Sequence, residues 1–215
     1  MKNLLNKEFR LVITPLFFLI TLFGVLLLIP EWVFLVVPMY LLFIAVPSII
    51  GTAKAQNDIE FTVLLPVRKS DAVRARVLAI ALFQVVQIFV IAIFVALHII
   101  LYHTGNFLID TNVAYIGCIF AMYGIFNVIF FPMLYKTAYK FVAPLIVAMI
   151  FTSVFAAGIE FLIVTVPAAA LVLDGISLDA LIGQIPVLIC GIAAFILLTW
   201  ISIRVSIKRF SKVDL

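Results

Sequence analysis

The chain has 215 residues, of which 67% are hydrophobic and only 11% are charged. A soluble domain of this length could not hide so many apolar side chains from water, so the composition excludes a soluble protein. The formal net charge is +4. Nucleic acid is not expected as a partner, because attraction to the anionic inner leaflet of a membrane explains a modest excess of cations.

Six continuous apolar runs predict an all-α polytopic membrane protein with six transmembrane helices. A spanning helix needs about 20 apolar residues, and continuous rather than alternating runs favour helices over a closed barrel. The runs cover residues 11–30, 33–50, 77–102, 113–134, 141–163 and 185–203. In the fourth run, Gly117, Ala121 and Gly124 are spaced for close contact with a neighbouring helix. The chain contains no linker, so we expect a single transmembrane domain over residues 1–215.

The N-terminal residues 1–13 predict an amphipathic helix at the membrane interface. Leu5 and Phe9 share one face of such a helix, while Lys7 and Arg10 share another. The alternative is that these residues form the solvated end of the first span.

The second connection, residues 51–76, is the longest polar stretch and predicts a short amphipathic helix. After Asp58, the apolar residues Phe61, Leu64 and Leu65 recur at the spacing of one helical face. This helix is expected to lie at the membrane surface, where it could contact another protein.

A proline separates that short helix from the third span. Pro66 ends the short helix, because the residue before a proline is pushed out of the α region. Ser70 is then predicted to cap the third helix, with Asp71 in its first turn.

The fifth connection, residues 160–184, stays too apolar for a free loop, and its first part, 160–173, is too short to cross the membrane again. A re-entrant or outer-interface segment before the last span fits this pattern best. Glu160 is the one acid within an apolar run, and its position leaves two roles open. It is either a polar residue at the membrane boundary or a gate or substrate-pathway residue.

All fourteen lysines and arginines fall on one side of the six predicted spans. They lie in residues 1–10, 51–76, 135–140 and the tail after residue 203. The connections on the other side carry Glu31, Asp110, Asp174 and Asp179. Because Lys and Arg accumulate in cytoplasmic loops, both termini are predicted to lie in the cytoplasm.

Motifs for catalysis, metal binding and nucleotide binding are missing from the sequence. There is no nucleophile with an aligned base and no cluster of metal-ligating residues, since His98 and His103 fall on different helical faces. The sequence has no P-loop motif, so ATP energy must enter through another polypeptide. The chain is therefore not expected to be an enzyme, and no metal or cofactor is expected on it.

Two stretches resemble the permeases of ABC-2 type transporters. Residues 58–76, DIEFTVLLPVRKSDAVRAR, are similar to the cytoplasmic loop of that family, in which an acidic short helix precedes a Leu-Pro-Val turn and a basic helix start. Residues 131–136, FPMLYK, with Tyr139 and Lys140 resemble the family's turn after the fourth span. Within this family, the chain resembles small bacterial permeases of peptide exporters, including those that export phenol-soluble modulins.

The resemblance implies a transmembrane subunit that dimerises and docks two ABC ATPase subunits, which bind the ATP and magnesium. It identifies the helix around residues 58–65 as the coupling helix, with apolar side chains that fill a groove on the ATPase and charged ones at the rim. The implied coupling residues are Asp58, Glu60, Phe61, Leu64, Leu65, Arg68 and Lys69. The alternative is a helix that simply rests on the inner leaflet.

The function implied in this way is export of a hydrophobic or amphipathic substrate, with a peptide favoured by the resemblance. One alternative is the substrate-binding membrane component of an energy-coupling vitamin importer, although the spans offer few polar residues for a small-ligand pocket. A second alternative is an intramembrane protease, which the missing catalytic residues disfavour.

Overall fold

A computed structural model of the chain describes residues 2–9, 19–58, 67–102, 106–137 and 140–213. Within these ranges the secondary structure is helical and contains no strand. The helices are α1 (Lys2–Lys7), a 3-10 helix (Leu22–Leu28), α2 (Val36–Ala55, with a π-helical segment at Leu41–Ala45), α3 (Lys69–Leu101), α4 (Val113–Thr137), α5 (Val142–Thr165), α6 (Pro167–Leu173), α7 (Leu178–Gly183) and α8 (Ile185–Phe210).

Five helical stretches are long and apolar enough to cross a membrane, which supports a multi-pass membrane protein. They are α2, α3, α4, α5 and the stretch Leu178–Phe210, which contains α8. These stretches confirm five of the six predicted spans. Residues 11–18 of the first predicted span lie outside the described residues, and its remainder contains a shorter apolar helix, Leu19–Leu28. A crossing by the first predicted span, which would be the sixth in number, stays a prediction.

Helix α3 is longer than the third apolar run. It has 33 residues, so it is roughly 50 Å long and extends beyond a hydrocarbon core about 30 Å thick. The helix begins at Lys69, and Arg68 precedes it in an extended conformation with no side-chain cap. The predicted Ser70 cap is therefore wrong, because Ser70 already lies inside the first turn. Asp71 does lie in that turn, as predicted.

Glycines allow helices α4 and α8 to approach each other more closely than residues with a Cβ atom would. A Cβ atom built on Gly191 would lie 2.1 Å from the carbonyl oxygen of Gly117, and one built on Gly117 would lie 2.9 Å from Cα of Leu188. A Cβ on Gly124 would lie 3.0 Å from Cα of Phe195. The predicted close contact at Gly117 and Gly124 is confirmed, and α8 is the neighbouring helix.

The fifth connection contains two short helices. Helix α5 continues to Thr165 and so includes Glu160, and α6 is a separate helix that begins at Pro167. The side chain of Leu171 in α6 is 84% exposed. Whether α6 re-enters the membrane or lies on its outer interface stays a prediction.

Contacts between the helix ends give the bundle two distinct ends. At the end called here the basic end, Lys69 Nζ donates to the Val213 carbonyl at 3.0 Å, and Arg209 donates to the Pro132 carbonyl at 2.9 Å. The opposite end, called here the acidic end, joins the chain around Asp110 to Asp174 and Glu160. The predicted separation of cations from the acids of the other connections therefore corresponds to the two ends of the folded bundle.

Candidate functional site

Four charged residues meet in a buried group at the basic end, called here the charge cluster: Lys7, Glu8, Asp58 and Arg76. The Arg76 guanidinium donates to both carboxylate oxygens of Glu8, with Nη2 3.1 Å from Oε1, and also to Asp58 Oδ2. Lys7 Nζ lies 2.5 Å from Asp58 Oδ1. Two cations therefore neutralise two carboxylates: Nε and Nη2 of Arg76 bind Glu8 as a fork, and Nη2 also donates to Asp58.

Burial makes the pairing in the charge cluster essential. Glu8, Asp58 and Arg76 are 4%, 8% and 5% exposed. A buried ion pair contributes little net stability, but removing one partner leaves the other charge uncompensated in a medium that solvates it poorly. The charge cluster is therefore a fixed geometric junction in which each member constrains the others.

Three separate segments supply the charge cluster. Lys7 ends α1 and Glu8 follows it, while Arg76 lies in the third turn of α3. Asp58 follows α2 after Asn57, whose φ of 49° is the left-handed conformation that Asn tolerates better than most residues. The chain thus turns sharply and brings the Asp58 carboxylate back against α3.

Sequence reasoning missed Glu8 and Arg76 as cluster members. A signal was present, because Arg76 lies on the helical face of Val73 and Ile80, both fully buried. An arginine between buried positions needs a buried carboxylate partner. The sequence could not identify that partner, because Glu8 lies 68 residues away.

Three of the seven predicted coupling residues lie in the part of the chain that the structure describes. Asp58 belongs to the charge cluster, and Lys69 lies over the Phe210 ring at 5.8 Å from its centroid, next to the Val213 carbonyl. Arg68 is exposed at the start of α3. The other four, Glu60, Phe61, Leu64 and Leu65, lie outside the described residues.

Glu160 connects α5 to the loop before α4 at the acidic end. Its Oε2 accepts a hydrogen bond from the backbone N–H of Ile109 at 3.0 Å. Its other oxygen, Oε1, is buried and has no hydrogen-bond partner among the described residues. The carboxylate therefore holds the loop with one oxygen, while the second has acceptor capacity left over.

Two further carboxylates lie side by side at the same end. Asp174 Oδ1 accepts from the Asp110 N–H at 3.1 Å, and Asp110 Oδ2 accepts from the Gly175 N–H at 3.0 Å. Burial, and then the neighbouring Asp110 carboxylate, raise the pKa of Asp174 to about 6. Gly175 has a φ of 98°, a conformation that favours glycine. The loop before α4 and the loop after α6 are thus joined by backbone hydrogen bonds to these two carboxylates.

Inside the membrane-spanning part, polar side chains join α3, α4 and α8. The amides of Gln84 and Asn127 bond to each other, and Asn127 Nδ2 also donates to Thr199 Oγ1 at 3.1 Å. Ser202 donates to the Asn127 carbonyl at 2.6 Å. These side chains are almost fully buried and bond to one another, so they hold the helices together and do not line an open polar pocket.

Comparison with known proteins gives one family. The family described as ABC-2 family transporter protein matches residues 3–211. No curated protein and no solved structure matches the chain significantly. The family match spans all the helices apart from Lys2 and includes both stretches on which the resemblance rested. The chain therefore belongs to the ABC-2 transporter family, whose members are membrane components of ABC transporters and are not themselves catalytic.

Proposed function

We propose that the chain is the transmembrane permease subunit of an ABC exporter, and that residues 58–69 are its contact with the partner ATPase. The observation that carries this proposal is that both flanks of residues 59–66 are anchored. Asp58 is bound by Lys7 and Arg76 on one side, and Lys69 is bound by the end of α8 on the other. A segment held at both flanks can transmit a displacement to the helices that hold it.

The charge cluster suggests the route of that transmission. Since Asp58 and Glu8 share the guanidinium of Arg76, a shift of residues 59–66 would move α3 and α1 together as a rigid body. Helix α3 spans the membrane, so the movement would reach the acidic end. The partner ATPase, which binds ATP and magnesium, would supply the displacement.

The rest of the proposed assembly follows from charge and from the family. The basic end faces the cytoplasm of a bacterial cell, where ATP is available, and a second permease subunit completes a pathway between the two. The expected substrate is hydrophobic or amphipathic, with a peptide favoured by the resemblance to small peptide exporters. Glu160, whose buried Oε1 has acceptor capacity left over, is the candidate gate or pathway residue at the far end.

The coupling proposal is tested by Phe61→Asp and Leu64→Asp. We expect either variant to insert normally but to lose co-purification with the ATPase, because a charge would enter an apolar contact. Phe107→Asp is the matched control, since Phe107 is 79% exposed at the acidic end and should leave docking intact. Normal co-purification and normal ATPase stimulation in the Phe61 and Leu64 variants would refute the coupling role.

The role of Glu160 is tested by Glu160→Gln in transport assays with reconstituted protein. A gate or pathway role predicts that this variant loses transport but still docks the ATPase. Asp179→Asn is the control, because Asp179 is an exposed acid at the same end, and it should transport normally. Wild-type transport by Glu160→Gln would assign the residue to the membrane boundary instead. A panel of amphipathic peptides, scored by stimulation of the reconstituted ATPase, would then identify the substrate class.

A further inference from the structure

An apolar groove of about 330 Å³ runs between α3 and α8 in the half of the bundle nearer the basic end. Its volume lies at the lower end of the range of about 300 to 1,000 Å³ that is typical of small-molecule sites. Its walls include Leu78, Leu82 and Val85 of α3 and Ile196, Trp200 and Ile203 of α8. The groove is open to the surface of the bundle, because Leu82, Ile196 and Trp200 are 47%, 62% and 53% exposed.

The chemistry of the groove selects an alkyl chain. Its walls are almost entirely apolar, and the hydroxyl of Thr199, which also lines it, already accepts a hydrogen bond from Asn127. A polar ligand would lose its hydration there without gaining partners. On the surface of a transmembrane helix bundle, the apolar groups available to fill such a groove are the acyl chains of phospholipids.

Two cations lie on α8 between the groove and the basic end. Trp200, Arg204 and Lys208 follow one another at four-residue spacing and therefore lie on one helical face. The Arg204 guanidinium carbon lies 5.1 Å from the centroid of the Trp200 ring, and both Arg204 and Lys208 are exposed. A positive pair thus lies beyond the groove on the side of the basic end, where it could bind the phosphate of a lipid whose chain fills the groove.

We propose that this groove binds one anionic phospholipid from the leaflet at the basic end, with an acyl chain between α3 and α8 and the phosphate at Arg204 and Lys208. The site concerns the lipid environment of the chain, so it stands independently of the coupling segment and of the transported substrate. Each Lys or Arg near an anionic surface contributes about 1 kcal/mol, so each of the two cations should increase the preference for an anionic lipid about fivefold.

Trp200 provides a direct readout, because the sequence contains only one other tryptophan, Trp32. The full-length Trp32→Phe protein is reconstituted in phosphatidylcholine vesicles that contain a small fraction of brominated phosphatidylglycerol or brominated phosphatidylcholine. Bromine on an acyl chain quenches tryptophan fluorescence only at contact. We expect the glycerol lipid to quench Trp200 at roughly a 25-fold lower mole fraction than the choline lipid, because the two fivefold preferences multiply.

Two kinds of variant separate the headgroup contact from the groove. Arg204→Gln with Lys208→Gln should bring the preference to about one, whereas Lys54→Gln, at an exposed cation of the same end, should leave it unchanged. Ala81→Phe, or Val85→Phe if the first does not fold, should fill the groove and remove the preference while both cations remain.

Two results would overturn the proposal. Equal quenching by the two lipids would mean that Trp200 meets only bulk lipid. Quenching by neither lipid would mean that another protein surface, such as a second copy of this chain, covers the groove.

Discussion

The side-chain amides of Gln84 and Asn127 pair head to head across the interface between α3 and α4. Gln84 Nε2 donates to Asn127 Oδ1 at 3.0 Å, and Asn127 Nδ2 donates to Gln84 Oε1 at 2.8 Å. Both residues are fully buried. Each amide thus satisfies the other where neither water nor lipid could do so.

We expect Gln84→Leu to lower the free energy of unfolding by about 1 to 3 kcal/mol, because the Asn127 amide would lose a partner in an apolar site. The double variant with Asn127→Leu should be less destabilised than the sum of the two single variants, because each single variant leaves one amide without its partner and the double variant leaves neither. Unfolding of the purified protein in detergent measures all three. Strict additivity would contradict the pairing.

Loss of Arg76 should be the most damaging single change at the charge cluster. Arg76→Gln leaves Glu8 and Asp58 buried near each other, and we expect it to cost about 3 to 5 kcal/mol of stability. Adding Glu8→Gln should recover part of that loss, since one uncompensated charge disappears. Thermal unfolding in detergent provides the comparison.

Arg74→Gln is the matched control for Arg76. Arg74 lies two residues earlier on α3 and is exposed, with its Nη1 3.8 Å from Asp71 Oδ1. We expect a change in stability below about 0.5 kcal/mol. If both arginine variants unfold at the same temperature, the charge cluster does not constrain the fold.

The contact between α4 and α8 predicts opposite results for two glycines. Gly191→Ala places a methyl group against the Gly117 carbonyl, so the helices must separate, and we expect a loss of about 1 to 3 kcal/mol. Gly158→Ala in α5 meets no atom within 4 Å and should be neutral or stabilising by up to about 1 kcal/mol. Melting temperatures in one detergent test both, and a tolerated Gly191→Ala would argue against the close approach.

The carboxylate pair at the acidic end predicts a pH dependence with a defined sign. Burial and the neighbouring Asp110 raise the pKa of Asp174 from its ordinary value of 3.8 to about 6, so the folded state binds the proton more tightly than the unfolded chain does. The contribution of Asp174 to stability should therefore be greatest at low pH, fall as the pH rises from about 4 to 6, and level off above the folded pKa.

Asp174→Asn should remove that contribution and raise the melting temperature at pH 7.5, because the amide oxygen can still accept from the Asp110 N–H. Melting curves between pH 4 and 8 for both proteins give the difference directly. An identical pH profile in the variant would show that Asp174 does not titrate in this range.

The apolar runs identified five of the helices in the structure, and glycine spacing identified a close contact of α4, because both signals are local in the sequence. The start of a helix was predicted less well than its apolar middle. Apolar content located the third span from residue 77, yet α3 begins at Lys69, since its first turns are rich in charged residues and carry no hydropathy signal.

By itself, then, the sequence determined that the chain spans a membrane, that its cations collect at one end, and that residues 58–76 resemble an ABC-2 permease. Hydropathy and charge bias are sums over neighbouring residues, so they can be read without knowing which helix faces which. The tertiary structure alone decided that Arg76 pairs with Glu8, 68 residues away, and that Gln84 pairs with Asn127, 43 residues away. Partners of buried polar groups depend on helix rotation and adjacency, because a hydrogen bond in an apolar interior forms only between groups that packing brings within about 3 Å.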